Sequence, residues 1–102
     1  MIELNNFKDV DKLLNDRYKY LTLIYIFDND IKYKNIDTYL KKENYNNNIK
    51  IVMINSKHKN IMDNLDITTY PIIRIYKERN IIDEIYCSYD NIKEILKQWI
   101  NM

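Results

Sequence analysis

The chain has 102 residues, the length of one domain with a single hydrophobic core, and we predict one domain spanning residues 1–102. Its 16 basic and 15 acidic residues are interspersed and leave a net charge of +1, so no basic stripe is present and nucleic-acid binding is not expected. The longest apolar run, Leu21 to Phe27, is far shorter than the roughly 20 residues of a membrane span, so no membrane association is expected.

The composition is biased toward residues with AT-rich codons. Asn, Lys, Ile and Tyr are abundant, whereas the chain has no glycine and a single proline. We therefore interpret the ten tyrosines mainly as the product of an AT-rich genome and not as a platform for stacking nucleic-acid bases. The segment Met1 to Asn6 lacks the pattern of a signal peptide, and a single cysteine favours a reducing compartment, so a cytoplasmic or nuclear location is expected.

The first half of the chain alternates strands and helices. Ile2 to Leu4 can form a short strand, and Asn6 can cap a helix whose apolar residues continue at helical spacing to Tyr18. Leu21 to Phe27 is almost wholly apolar, which is typical of a strand buried on both faces. A second helix is predicted from about Ile31 to Glu43.

A second apolar strand is predicted from Ile49 to Asn55. Ser56 is expected to cap a short helix that buries Ile61, Met62 and Leu65. A connecting loop then leads to Pro71.

The last part of the chain predicts a hairpin and a helix. The strands Ile72 to Lys77 and Ile81 to Cys87 are joined by a turn in which Asn80 can adopt the left-handed conformation. The final helix, capped by Asp90, has an amphipathic apolar pattern formed by Ile92, Ile95, Leu96, Trp99 and Ile100. The order β-α-β-α-β-α-β-β-α predicts an α/β fold with a central mixed sheet flanked by helices on both faces.

One stretch carries a family pattern. From Ile67 the chain reads an apolar residue, two threonines, the bulky Tyr70, Pro71, an apolar strand, an aromatic residue, Lys77 and a turn. Together with the element order, this pattern resembles the thioredoxin family over nearly the whole chain. The resemblance implies a thioredoxin-like fold in which the Tyr70–Pro71 peptide bond is cis.

The segment that should carry the catalytic site departs from this family. In thioredoxins the strand that corresponds to Leu21–Phe27 is followed by Trp-Cys-Gly-Pro-Cys, whereas this chain has no cysteine there. The buried aspartate that serves the family as a proton shuttle is replaced by Tyr25 or Ile26. Because Cys87 is the only cysteine, the chain cannot form an intramolecular disulfide, so we expect a redox-inactive protein. No other catalytic motif is present, and no enzymatic activity or cofactor is expected.

The resemblance places Ile31, Tyr33, Tyr70 and Pro71 near the former active-site surface, where they could bind a protein partner. An adaptor or chaperone-like module is therefore the preferred hypothesis. The alternative for these residues is that Tyr33 packs on its own helix and Pro71 only turns the chain into the next strand.

Two further functions remain open. Cys87 could act as a monothiol redox partner or form a redox-sensitive dimer, or it could be a small core residue. The protein could also be a structural subunit of a larger assembly that uses the exposed edge of strand Ile81 to Cys87. His58 is the only histidine, and with one cysteine it does not predict a metal site.

Overall fold

The computed structural model describes residues 2–15, 21–28 and 49–86, together with residues 91, 94, 95, 97 and 98. The predicted helix from Ile31 to Glu43 lies outside these residues, as does most of the last helix. The described helices and strands are, in chain order, β1 (Ile2–Glu3), α1 (Phe7–Leu14), β2 (Leu21–Phe27), β3 (Ile49–Asn55), α2 (Lys59–Asn64), β4 (Ile72–Lys77) and β5 (Asn80–Tyr86).

The five strands form one mixed sheet in the order β1-β3-β2-β4-β5. β1 and β2 pair with β3 in parallel, and β4 runs antiparallel to both β2 and β5. The predicted mixed sheet is thereby confirmed. β2 and β3 occupy interior positions in the sheet, which explains why their sequences are almost continuously apolar instead of alternating.

The central strands are buried on both faces. On one face, residues of β2, β3 and β4 pack with α1 and α2 in a core cluster that contains Val10, Ile24, Ile26, Val52, Ile54, Ile61, Met62, Ile72 and Tyr76. On the other face, the alternate residues are also buried, among them Leu23, Tyr25, Ile51, Ile73 and Ile75. The sheet is therefore the middle layer of the fold.

Asn6 caps α1 as the sequence predicts. Its Oδ1 accepts the backbone N–H of Asp9 at 2.9 Å, and its Nδ2 donates to Oδ2 of Asp9 at 2.9 Å. This reciprocal arrangement satisfies one of the N–H groups that have no partner within the helix, and it places a carboxylate in the first turn.

The predicted Ser56 cap is wrong. α2 begins after His58, whose side chain makes no capping hydrogen bond. The backbone N–H of Ser56 instead donates to the carbonyl of Phe27 at 2.9 Å, so Ser56 extends the contact between β2 and β3. The serine lies too early in the chain to reach the first turn of the helix.

The end of α2 is a turn in which an aspartate occupies the usual place of a glycine. The N–H of Ile67 donates to the carbonyl of Met62 at 2.9 Å, and that of Asp66 donates to Asp63 at 3.2 Å. These two bonds form a Schellman motif, which requires a left-handed residue, and Asp66 has φ 56°. The chain contains no glycine that could take this position.

The prediction for the hairpin turn is also wrong in one detail. Asn80 pairs with Lys77 as the first residue of β5, and the left-handed residues are Glu78 (φ 51°) and Arg79 (φ 73°). A two-residue turn with two positive φ values is the type I′ turn, whose twist matches that of the flanking strands. The Arg79 guanidinium donates to Oδ1 of Asn15 at the end of α1, so the hairpin tip contacts this helix.

Candidate binding surface

The carboxyl ends of β2 and β3 and the start of β4 lie at one edge of the sheet. Ile26 pairs with Ile72, and extending this antiparallel register by one residue places Pro71 opposite Phe27. The hydrogen bond between Ser56 and Phe27 holds the end of β3 to the same edge. The loop before Pro71 therefore opens beside the end of β2.

This loop, residues 66–71, is called here the Tyr70 loop. Its one fully buried side chain is Ile67, which packs in the core cluster, whereas residues 68–70 are exposed. Tyr70 is 43% exposed, and the Tyr70–Pro71 peptide bond is cis. Among the backbone hydrogen bonds of residues 49–86, none involves the N–H or C=O of Tyr70. The loop is anchored at Ile67, and it carries an exposed tyrosine whose two backbone groups make no hydrogen bond among the described residues.

Strand β2 ends at this edge, and it carries Tyr25 and Ile26, the two positions that the resemblance leaves for the buried aspartate of thioredoxins. Of the two positions that the sequence left open, Ile26 lies in the cluster with α1 and α2, whereas Tyr25 lies on the opposite face and pairs with Ile73. Tyr25 is 0% exposed, and its ring packs edge-to-face on Phe27, with a centroid distance of 6.1 Å and an interplanar angle of 68°. An apolar aromatic pair therefore underlies the edge.

A buried ionic network, which the sequence pattern does not predict, lies on the other face of β4. The Arg74 side chain, in a residue only 5% exposed, faces Glu84 across the β4–β5 ladder. Its Nε donates to Oε2 of Glu84 at 2.8 Å, and its Nη1 donates to the Leu65 carbonyl at 2.5 Å and to the Tyr76 hydroxyl at 3.0 Å. The hydroxyl of Tyr86 donates to Oε1 of Glu84 at 2.9 Å.

The network keeps its charges in place. Burial opposes the charge on Arg74, but the hydrogen bonds and charge interactions with Tyr76 and Glu84 outweigh it and raise the pKa of the guanidinium. For Tyr86, the hydrogen bond to Glu84 and the negative charge of that carboxylate raise the pKa of the phenol. Arg74 is therefore cationic, and Tyr86 is a hydrogen-bond donor, at neutral pH.

The outer strand β5 carries the remaining exposed apolar side chains of the described residues. Ile81 is 52% exposed and Ile82 is 48% exposed. The register of β5 against β4 shifts by one residue between Ile75 and Tyr76, which is a β-bulge that leaves Ile82 without a cross-strand partner. The predicted exposed edge strand therefore exists, but it is irregular.

The structure brings Tyr70 and Pro71 together at the edge of the sheet, whereas Ile31, Tyr33 and Cys87 lie outside the described residues. His58 is half-buried, and its carbonyl accepts hydrogen bonds from Ile61 and Met62 in the first turn of α2. Within the described ranges, no three His, Cys, Asp or Glu residues are grouped so that they could hold a metal ion. No helix in these ranges is long and apolar enough to cross a membrane.

Solved structures of thioredoxins resemble this fold over nearly its full length. A cysteine-to-serine mutant of Entamoeba histolytica thioredoxin is 18% identical, covers 99% of this chain and 97% of its own, and superposes with a TM-score of 0.76. Fasciola hepatica thioredoxin is 14% identical, with the same coverage of 99% and 97% and a TM-score of 0.75. The oxidised thioredoxin of Plasmodium falciparum is 11% identical, with 98% of each chain covered and a TM-score of 0.72.

No family model and no curated protein matches the chain. At this level of identity the solved structures establish the fold and leave the chemistry to the residues themselves. In this chain the shared fold consists of the mixed sheet, with two helices packed on one face and a cis peptide bond before β4. The chain is therefore a protein of the thioredoxin-like fold.

Proposed function

We propose that this chain is a redox-inactive protein-binding module of the adaptor or chaperone-like kind, which binds an extended segment of a partner protein at the Tyr70 loop. The observation that carries the proposal is the state of Tyr70. The residue is 43% exposed at the edge of the sheet, and its backbone N–H and C=O make no hydrogen bond among the described residues. An extended peptide can satisfy both backbone groups while its side chains contact the ring.

The shape of the loop supports this mode of binding. Ile67 is buried in the core cluster, and Pro71 leads directly into the interior strand β4, so both ends of the exposed segment are fixed. A fixed loop loses little conformational entropy when a peptide binds. Tyrosine is also a residue that often contributes strongly to binding, because it offers a large contact area with few rotatable bonds.

The absence of dithiol chemistry follows from the sequence. A disulfide within the chain needs two cysteines, and Cys87 is the only one. On the face of β2 opposite the core cluster, Tyr25 is wholly buried and pairs with Met53 and Ile73. Tyr25 cannot serve as a carboxylate proton shuttle. The proposed binding therefore relies on contacts and hydrogen bonds alone.

A structural role at the edge of β5 is the second candidate, and the exposed Ile81 and Ile82 favour it. Two features count against the addition of a further strand. The bulge at Ile82 interrupts a regular ladder, and the Asp83 carboxylate accepts the N–H of Glu84 at 2.8 Å, which occupies one backbone donor. Bulges and charged residues are common means by which proteins prevent pairing at a sheet edge.

The role of Cys87 as a thiol partner lies outside the described residues. It is tested by labelling the native and the unfolded protein with a mild alkylating reagent at neutral pH. Reaction of the native protein at a rate close to that of the unfolded protein would favour the thiol-dependent function. Protection until unfolding would exclude it.

The binding proposal is tested with linear peptides selected from an unbiased displayed library. The affinity of the best peptide is measured by calorimetry for the parent, for Tyr70→Asp and for Ile82→Asp. The last variant is the matched control, because Ile82 is an apolar residue with a similar exposed fraction of 48% on another surface. We expect Tyr70→Asp to weaken binding at least about tenfold and Ile82→Asp to leave it unchanged. If Ile82→Asp weakens peptide binding and Tyr70→Asp does not, the interface lies on β5 and the proposal is contradicted.

A further inference from the structure

A continuous set of hydrogen bonds connects the outer strand β5 to the beginning of the Tyr70 loop. Tyr86 donates to Oε1 of Glu84 at 2.9 Å, and Arg74 Nε donates to Oε2 of the same carboxylate at 2.8 Å. The other end of the Arg74 guanidinium donates to the carbonyl of Leu65 at 2.5 Å. Leu65 is the last residue before the loop.

The Leu65 carbonyl is the point at which the chain leaves α2. Leu65 is the C-cap residue, and the last carbonyls of a helix have no partner within it. A cation at this end also interacts favourably with the helix dipole. The next residue, Asp66, has φ 56°, which reverses the direction of the chain. Arg74 therefore fixes the position of Leu65, the residue directly before the Tyr70 loop.

The position of Arg74 depends on Glu84. The guanidinium is buried, and Glu84 is the one carboxylate that pairs with it among the described residues. A buried charge without its counterion is strongly unfavourable, so loss of the carboxylate drives the guanidinium toward water. Movement in that direction takes Nη1 away from the Leu65 carbonyl.

We propose that Arg74 and Glu84 are positioning residues that hold the Tyr70 loop in its exposed conformation, so that the outer strand β5 controls the loop through the Arg74 side chain. The Glu84 side chain is 29% exposed, so a cationic group of a partner or ligand can reach it and compete with Arg74. The effect on peptide binding rests on the proposed function, whereas the effect on the loop does not.

The chain offers a matched control on the same strand. Asp83 and Glu84 are adjacent carboxylates, but Asp83 pairs with Ile75 on the opposite face of β4, and its carboxylate accepts the backbone N–H of Glu84. The variants Glu84→Gln and Asp83→Asn therefore remove the same charge from neighbouring positions. Glu84→Gln alone removes the negative partner of Arg74. The Arg74→Met variant tests the other end of the pair, and Glu84→Gln remains informative if Arg74→Met does not fold.

The readout is amide hydrogen exchange of the unliganded protein. The Ile67 N–H donates to Met62 at the start of the loop, so its exchange reports local opening there. The amides of β2 and β3 report global unfolding, because these strands lie in the interior of the sheet. We expect Glu84→Gln to raise the exchange rate of Ile67 about tenfold more than that of β2 and β3, and we expect no such difference in Asp83→Asn.

Equal exchange of Ile67 in the two variants would overturn the inference, as would a rise that matches the rise in β2 and β3. Binding is then measured with the selected peptide, and Glu84→Gln is expected to bind it more weakly than Asp83→Asn does. A faster Ile67 amide with unchanged peptide affinity would contradict control of binding by β5. Failure of the parent to bind any peptide would overturn the proposed function, and the exchange data would still decide whether Glu84 positions the loop.

Discussion

Arg74 and Glu84 face each other across β4 and β5, with Nε and Oε2 2.8 Å apart. The pair lies beside the core cluster, since Ile72 and Tyr76 flank Arg74 on the same face. A buried ion pair contributes little net stability, because the loss of hydration offsets the attraction. Removal of only one member of the pair is nevertheless costly, because the remaining charge then lacks its counterion.

The stability of the fold therefore depends on the pair in a non-additive way. We predict that Arg74→Met lowers the free energy of unfolding by about 3–5 kcal/mol, because it removes the counterion of Glu84 and the donor to the Leu65 carbonyl. The double variant Arg74→Met/Glu84→Leu should lose less than Arg74→Met alone. Urea denaturation of Arg74→Met, Glu84→Leu and the double variant measures the coupling. Losses that simply add would contradict a coupled pair.

Titration of Tyr86 provides a test of the network near its exposed end. Because Glu84 raises the pKa of the phenol, Tyr86 should ionise at higher pH than an ordinary tyrosine, whose pKa is about 10. The stabilisation by this hydrogen bond is present below the ordinary pKa and is lost as pH rises through the raised one. Carbon-13 NMR of labelled tyrosine rings measures the pKa, with Tyr86→Phe to assign the signal. In Glu84→Gln the pKa should fall, and an unchanged value would contradict the assignment.

The hairpin turn can be improved by a residue that favours left-handed backbone. Glu78 has φ 51° in the type I′ turn, where asparagine and glycine are preferred. We predict that Glu78→Asn raises the free energy of unfolding by about 0.5–1 kcal/mol, because a left-handed conformation costs about 1–2 kcal/mol for most residues. Lys77→Asn is the control, since Lys77 is a strand residue paired with Leu21 and Asn80. We expect this variant to be less stable than the parent protein. Thermal unfolding measures both, and a loss of stability in Glu78→Asn would contradict the turn type.

The sequence predicts the strands better than it predicts their connections. The limits of β2, β3 and β4 follow from apolar runs that need burial on both faces, and these runs end at polar residues. The caps are harder to assign, because any nearby serine or asparagine can be given the role. Residue preference alone favours Ser56 as a helix cap and Asn80 as a left-handed turn residue. The chain instead has Asp66, Glu78 and Arg79 at left-handed positions, since it has no glycine.

The Arg74 network could not be predicted because it depends on a bulge. A regular hairpin continued from the Lys77–Asn80 pair would place Asp83 opposite Arg74. The one-residue shift between Ile75 and Tyr76 brings Glu84 there instead. Bulges have weak sequence signals, so the partner of an isolated arginine in an apolar strand is visible only in the folded chain. Tyr70 and Pro71 lie beside the end of β2, and their role in binding, which the resemblance to thioredoxins suggested, stays a prediction.

The most direct test of the central claim maps the bound peptide on the protein. The selected peptide is titrated into nitrogen-15-labelled protein, and the backbone amide shifts of the parent, Tyr70→Asp and Ile82→Asp are followed by NMR. We predict that the largest shifts in the parent occur at Thr69 and Tyr70, that they persist in Ile82→Asp, and that they are lost in Tyr70→Asp. Shifts confined to residues 80–86, with none in the Tyr70 loop, would contradict the proposal that this protein binds its partner at the Tyr70 loop.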